Sequence, residues 1–433
     1  MENLKGKRLL ILGGTKIQCE VIKAAKKLGV VTIVTDYNEP KDSPGKQICD
    51  ESYMVSCTDV DAVVKLIKDK EIDGVLVGFN DMLLPYYAEI CEKAGLPCYA
   101  TKAQFETFID KSSYKALCRE FDVPTVEEYI IDINDIASEI DNKIVFPILV
   151  KPSDSSGSRG ITICNNKEEL NKAIEYAKSF SAEKKIVVER YLTGKEATVF
   201  WLFKDGEYYL TAIGNRHVRN DQKATIPLPV GYTFPAKITS SYLKNTCENA
   251  KAMFKHVGIK NGMMFMQCKI EDNQCVVYDI GFRLTGSLEY KILNQVCGFD
   301  PMKMLIHFSL TGVMGDEHVA EMIDPFFKKK YAFNVSILAK PGKIKSIIGR
   351  EDALKIHGVI DVVTAHEEGD TITKDMTGLL SQITIRVLGV SDSIEQTYKL
   401  MKQVYETIDI ISVSGESQKL PGIEFNDVVA DLI

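Results

Sequence analysis

The segment Ile148-Leu-Val-Lys-Pro-Ser-Asp-Ser-Ser-Gly-Ser-Arg-Gly160 constrains this chain more than any other. An apolar, strand-like run delivers Lys151 and Pro152, a loop of small residues follows, and Ile161-Thr-Ile-Cys164 resumes a strand. A loop built from Ser155, Ser156, Gly157, Ser158 and Gly160 has little side-chain bulk, so its backbone N–H groups can approach an anion closely. Lys151 adds a point charge at one end and Arg159 a planar donor fork. The loop joins strand to strand, and no Gly-Lys-Ser/Thr opens a helix, so the Walker pattern is absent. On its own such a loop is equally a solvent-exposed Ser/Gly hairpin, and its surroundings must decide.

A chain of 433 residues exceeds what one hydrophobic core organises, which predicts two to four domains. Residues 8–108 alternate short apolar runs with helical patterns. Arg8–Leu12, Val31–Thr35 and Gly74–Gly78 read as buried parallel strands. Gln18–Leu28 and Val60–Lys70 read as helices, the second opened by the capping candidates Thr58 and Asp59. This pattern predicts a doubly wound sheet. Its first turn, Gly13-Gly-Thr-Lys16, lacks the full G-x-G-x-x-G, so a dinucleotide site using Asp36 is the minor reading. Asp36, Asn80 and Asp81 are equally pocket residues or strand-end caps. The net charge of −7, with no basic run interleaved with aromatics, argues against a nucleic-acid surface. The 11 cysteines show no CxxC pair and suit reduced thiols. With no apolar signal-peptide core at the N-terminus and no bilayer-length apolar run, the expectation is a cytoplasmic protein without membrane contact.

Around the glycine loop lie Asp110-Lys111-Ser-Ser-Tyr-Lys115, Ile186-Val-Val-Glu189-Arg-Tyr-Leu192, Thr193-Gly-Lys-Glu196, Gly262-Met-Met-Phe-Met-Gln267 and Val276-Val-Tyr-Asp279-Ile-Gly-Phe-Arg283. Their order and spacing resemble the ATP-grasp superfamily, especially the branch holding carbamoyl-phosphate synthase, biotin carboxylase and L-amino-acid ligases. The resemblance runs from residue 7 to roughly residue 415. It implies a mixed α/β and α+β architecture in three parts. Residues 1–108 would form an N-terminal, Rossmann-like pre-ATP-grasp domain with a parallel sheet. Residues 109–325 would form the central ATP-grasp fold, with a lid subdomain over about 112–190, and residues 326–433 a C-terminal β-rich domain. Within the last part, strands are expected at Tyr331–Ala339, Ile344–Ile348, Val359–Ala365 and Ser381–Leu388, with a helix from Ser393 to Thr407.

The same resemblance implies the site. Lys111 and Lys151 would meet phosphates, beside the loop residues Ser156, Gly157, Ser158 and Gly160. Against Lys111 stands its reading as a solvated helix-start lysine, since a cation is unfavourable near a helix N-terminus. Glu189, Arg190, Tyr191 and Leu192 would form the hinge that meets the adenine edge, and Glu196 would accept from the ribose hydroxyls. His217 is a further candidate beside the nucleotide, though more often such a residue is an ordinary strand histidine. Gln267 and Asp279 would hold Mg²⁺, with Mn²⁺ an alternative, and Arg283 would stabilise charge on the reacting intermediate. Two departures stand out. Asp279 replaces the family's Glu and reaches about 1.5 Å less, one C–C bond. Gly281 offers no oxygen where the family carries Asn, so one Mg²⁺ is expected, and Gly281→Asn is expected to tighten it. Ser287 and Glu289 follow Arg283 in a turn that would face the acceptor.

ATP and Mg²⁺ are therefore the expected cofactors, and the expected activity is ADP-forming ligation of a small carboxylate to an amine through an acyl phosphate. Two alternatives remain: a bicarbonate-activating enzyme of carbamoyl-phosphate-synthase or carboxylase type, and a silent ATP binder with a weakened metal site. A homodimer is left open.

Overall fold

The structure is a computed structural model that describes residues 3–129, 144–152, 160–181, 186–219, 228–423 and 432. The N-terminal region opens with parallel strands Arg8–Leu12, Val31–Thr35, Glu51–Tyr53 and Gly74–Leu76, arranged with the third at one edge and the fourth at the other, the first pairing with the second and the fourth. Leu9 to Leu12 and Val75 to Val77 are buried, as expected of strands covered on both faces by helices. Helix Cys19–Lys27 follows the first strand, and helix Val60–Asp69 is capped by Asp59, whose carboxylate accepts from the Ala62 N–H. Asp36 is held by the Gly14 N–H at 2.9 Å, the Ser43 hydroxyl at 2.7 Å and Lys46 at 2.9 Å. It is a fully engaged structural carboxylate that fastens the first turn, which leaves the dinucleotide reading without its acid.

A smaller antiparallel sheet follows, ordered Glu128–Tyr129, Ile186–Arg190, Ile148–Pro152 and Thr162–Cys164. Helix Lys167–Ser179 covers it with Leu170, Ala173, Ile174 and Ala177, making a separate small core with Ile148, Val150, Cys164 and Val188. Residues 153–159, with Ser156, Gly157 and Ser158, lie outside the described residues. Gly160 closes that loop with φ of +73°, where an added Cβ would approach Pro152 to 2.8 Å and Phe180 to 2.9 Å. Both the left-handed backbone and the close approach require glycine.

The largest sheet has eight strands: Gln274–Gly281, Gly262–Glu271, Lys195–Lys204, Glu207–Arg219, Leu228–Phe234, Tyr331–Leu338, Ile383–Ser391 and Val359–Thr364, in that spatial order. Its ladder crosses from Gly231 to Val335, so the sheet continues past residue 325, where the sequence suggests a boundary. The expected helix near the C-terminus spans Ile394–Thr407, with the Ser393 side chain accepting from the Gln396 N–H.

Two bonds and an aromatic cluster fix the edge strand that carries Asp279. Tyr99 donates to the Phe282 carbonyl at 2.9 Å and Tyr114 to the Tyr278 carbonyl at 2.7 Å. The Phe282 ring packs against Tyr99, Phe105, Phe108 and Phe203, so the N-terminal region and the large sheet share one core. Burying aromatic area on this scale gives the strand a rigid backing.

Candidate functional site

Lys151 ends its apolar strand nearly buried, its side chain 8% exposed, with Nζ 2.6 Å from Glu189. Burial lowers its pKa, and the Glu189 carboxylate opposes that shift. The other oxygen of Glu189 is 2.5 Å from Lys115, which also lies 2.9 Å from Glu128. Burial pushes the Glu189 pKa up, but Lys151 and Lys115 outweigh it and hold the group below the ordinary carboxylate range. Glu189 thus bridges two ammonium groups under the smaller sheet. Sequence reasoning missed Lys115; its signal was the spacing of four after Lys111 on helix Lys111–Glu120, one turn along. Lys111 is the first residue of that helix, whose N-cap Asp110 accepts from the Ser113 N–H.

At the hinge, Arg190 meets Glu271 at 2.8 Å, and its N–H donates to the Glu127 carbonyl at 3.0 Å. The Tyr191 N–H donates to Pro147 at 3.0 Å, and Leu192 is buried. Glu196 is the second residue of the strand Lys195–Lys204 and faces three neighbours: an ion pair with Arg216, Lys269 at 2.8 Å and the Tyr278 hydroxyl, which donates at 3.2 Å. Their positions follow from register, since Arg216 and Lys269 stand directly across from Glu196 on the two flanking strands. His217 meets the Thr233 hydroxyl at 2.8 Å.

Gln267 and Asp279 are a direct cross-strand pair, so their side chains leave the sheet on the same side, both half-buried. Among the described residues, the Asp279 carboxylate has no hydrogen bond or ion pair. Burial raises its pKa, and nearby Asp81 adds to that, while Lys111, Lys151 and Arg283 pull it down. A half-buried carboxylate without a partner fits a cation, and the hard oxygens of Asp279 and Gln267 suit Mg²⁺ with phosphate and water completing its shell. No group of three or more His, Cys, Asp or Glu residues placed to hold a metal occurs among the described residues.

Gly281 stands opposite Phe265, and a Cβ added there would collide with the Phe265 ring. The space an Asn side chain would need is therefore filled. The same pairing recurs in this sheet, with Phe333 opposite Gly389 and Phe234 beside Gly214, where an added Cβ would again strike the ring. The aromatic covers a bare backbone in each case. Arg283 lies over the Phe265 ring with its guanidinium carbon 5.1 Å from the centroid. Its Nε donates to Asp81 at 2.7 Å and its Nη2 to the other Asp81 oxygen at 2.5 Å, a bidentate pair reaching into the N-terminal region. Asp81, not Asp279, is thus the direct partner of Arg283. Asn80 caps the adjacent turn, accepting from the Met82 N–H. Beyond Arg283, the Thr285 and Ser287 hydroxyls both donate to Glu289, which is buried and whose pKa burial raises.

Lys111, Lys151, Arg283 and Asp81 are thus gathered around the Asp279 carboxylate. Residues 144–288 match the family model described as the ATP-grasp domain. In sequence it is similar to a carbamoyl phosphate synthase large chain of Clostridium beijerinckii, 25% identical over 280 residues, 64% of this chain and 25% of that protein. The chain spans 25% and 48% of the length of the first curated relatives it matches. In fold it is similar to the biotin carboxylase domain of 2-oxoglutarate carboxylase from Hydrogenobacter thermophilus, solved with MgADP, ADP and bicarbonate. That match has a TM-score of 0.77 and 20% identity, and covers 98% of this chain and 94% of that one. An L-amino acid ligase from Bacillus licheniformis superposes with a TM-score of 0.75 at 18% identity, covering 94% and 99%. No described helix is long and apolar enough to cross a membrane.

Proposed function

We propose that this chain is an ADP-forming ligase that joins a carboxylate to an amine at the expense of ATP. The observation that carries the reading is the unpartnered Asp279 carboxylate beside Gln267, four residues before an arginine held over the same cleft. Lys151, and Lys111 at the helix start, would meet the phosphates, with the backbone N–H groups of Ser156, Gly157, Ser158 and Gly160 covering them. Glu189 to Leu192 would meet the adenine. With the Arg190 and Tyr191 amides already engaged, that task falls to the hinge carbonyls and the Leu192 N–H. Glu196, ion-paired with Arg216 and Lys269, would accept from the ribose. Asp279 and Gln267 would hold Mg²⁺, or Mn²⁺ through the same oxygens; the bound ion neutralises charge on the phosphates.

The acceptor carboxylate oxygen attacks the γ-phosphorus in line as the bond to the β–γ bridging oxygen breaks, giving ADP and an acyl phosphate. The amine nitrogen then bonds to the acyl carbon and phosphate leaves. Arg283 faces the negative charge that grows on the acyl oxygen, in a partly dehydrated cleft where such a donor counts for most. Domains over 1–108, 109–325 and 326–433, a cytoplasmic location consistent with 11 free cysteines, and a homodimer complete the proposal.

The test is ADP release in the presence of Mg²⁺, screened over amino acids, hydroxy acids and bicarbonate with amine donors. A second reading puts bicarbonate in place of the organic carboxylate, favoured by the likeness to a carboxylase domain holding MgADP and bicarbonate. ADP release with bicarbonate alone selects it. ATP binding without ADP release under any acceptor defeats both and leaves a silent binder.

A further inference from the structure

The strands Tyr331–Leu338 and Ile383–Ser391 bury both faces, yet the two faces differ in chemistry. Phe333, Val335 and Ile337, with Ile385 and Val387, pack against Met401 and Val404 of the C-terminal helix in an apolar core. Alternation sends the intervening residues to the opposite side, toward the core shared by the large sheet and the N-terminal region. Ala332 and Leu388 join that core. Asn334, Ser336 and Arg386 share their face, Asn334 across from Leu388 and Ser336 across from Arg386.

Polar groups on an inward face need partners, and here two are short of them. Asn334 is 1% exposed; its Nδ2 donates to the Ser287 carbonyl, while its Oδ1 is buried with no partner among the described residues. Arg386 is half-buried, and Nη1 donates to the Ser336 hydroxyl at 2.9 Å. Among the described residues no carboxylate lies within ion-pair distance of it. Tyr232 and Glu289 are the neighbours that favour its charge, and burial outweighs both, holding its pKa below the ordinary arginine value. Glu289 is meanwhile occupied through Oε2 by Thr285 and Ser287. The bond from Asn334 to Ser287 ties this floor to the turn after Arg283, and a small cavity lined by Phe265, Arg283, Leu284 and Glu289 opens beside that turn.

We infer that Arg386, set by Ser336 and flanked by Asn334, anchors a planar carboxylate-type anion of the acceptor on the floor of the cleft. A guanidinium fork matches two coplanar oxygens, and the uncompensated charge supplies the affinity. The inference rests on the ligase reading above and adds what that reading leaves open: the part of the acceptor that the C-terminal strands recognise carries its own oxyanion. No step of the chemistry passes through Arg386.

The experiment is thermal-shift titration of the full chain with glycine, succinate and bicarbonate, each with and without MgADP. Wild type is expected to be stabilised by at least one of the three. The responding probe distinguishes a zwitterion, a dianion and a one-carbon source. Arg386→Gln is expected to weaken that probe by about tenfold or more, the size of one lost charge-assisted contact, with Arg386→Lys intermediate and the MgADP shift unchanged. Should Arg386→Gln fail to fold, Ser336→Ala, which removes the hydroxyl that sets the fork, is expected to weaken the same probe. Equal response of wild type and variants, or no response of wild type to any probe, overturns the inference. Loss of the MgADP shift in wild type would instead strike the ligase reading and leave the anion result standing.

Discussion

Glu189 under the smaller sheet and the pair Asp279 and Arg386 on the large one treat buried charge in opposite ways, although Glu196 on that same large sheet is paired with Arg216 and Lys269. Under the smaller sheet, Glu189 sits between Lys115 and Lys151 with every contact at ion-pair distance, and Glu128 completes the set. On the large sheet, Asp279 has no direct partner among the described residues, and Arg386 has one hydroxyl. Burying a charge without compensation destabilises a fold, so a region that leaves such charges in place does so for something that arrives later. The paired side reads as structure already complete, the unpaired side as structure finished by ligand.

Breaking the paired side should therefore cost the fold, and breaking the unpaired side should cost the chemistry. Glu189→Ala strands two buried ammonium groups, and a loss of about 3–5 kcal/mol is expected in chemical denaturation. A denaturation midpoint unchanged from wild type would erase the contrast. Asp279→Asn should act the other way. ADP release is expected to fall by about 100-fold or more, as loss of metal-borne charge stabilisation implies several kcal/mol. Thermal stability should hold or rise, because an uncompensated carboxylate has gone.

The pH dependence of stability checks the same residue. The folded pKa of Asp279 is raised above its ordinary 3.8. In that window the native state binds more protons than the unfolded one, so this group's contribution falls as pH rises from about 3.8 toward the folded value and is flat above it. Asp279→Asn should remove that slope. A variant with the wild-type slope would mean that Asp279 is compensated after all.

Much of this was legible in the chain because it rests on local rules. The strands Arg8–Leu12 and Val31–Thr35, the Asp59 cap and the helix after Ser393 follow from apolar runs and capping chemistry, and the structure forms them at those residues. What needed the fold was everything set by register. That Gln267 faces Asp279, that Glu196 faces Arg216 and Lys269, and that Arg283 pairs with Asp81 some 202 residues away depend on which strands adjoin. Arg386 did leave a trace, a charge in an alternating apolar strand, but only pairing with Ser336 shows which core it faces.

Gly281 is the instructive case, since the sequence shows a missing oxygen and the structure shows why it cannot simply be restored. Gly281→Asn alone would drive a side chain into Phe265, and about 1–3 kcal/mol of overpacking is expected without any gain in Mg²⁺ affinity. Only with Phe265→Ala should the double variant recover stability and bind Mg²⁺ more tightly, a coupling that a double-mutant cycle reads directly. Additive effects of the two changes would show that the ring does not guard the position.

The smallest effect tests the border between the two sides. Lys151 belongs to the paired cluster, yet it stands at the end of its strand, next to the loop proposed to cover the phosphates. Lys151→Met keeps the aliphatic volume and leaves Glu189 with Lys115, so one carboxylate still faces one ammonium at 2.5 Å. The fold should survive with a modest loss, unlike Glu189→Ala. ATP affinity measured by calorimetry should drop about tenfold, roughly 1.4 kcal/mol for one charge-assisted contact. That loss should shrink at high salt less than a surface contact would, because the site is screened from solvent. If ATP affinity is unchanged while stability falls, Lys151 is purely a counter-ion for Glu189, and the line between completed structure and awaiting site runs past it toward the loop.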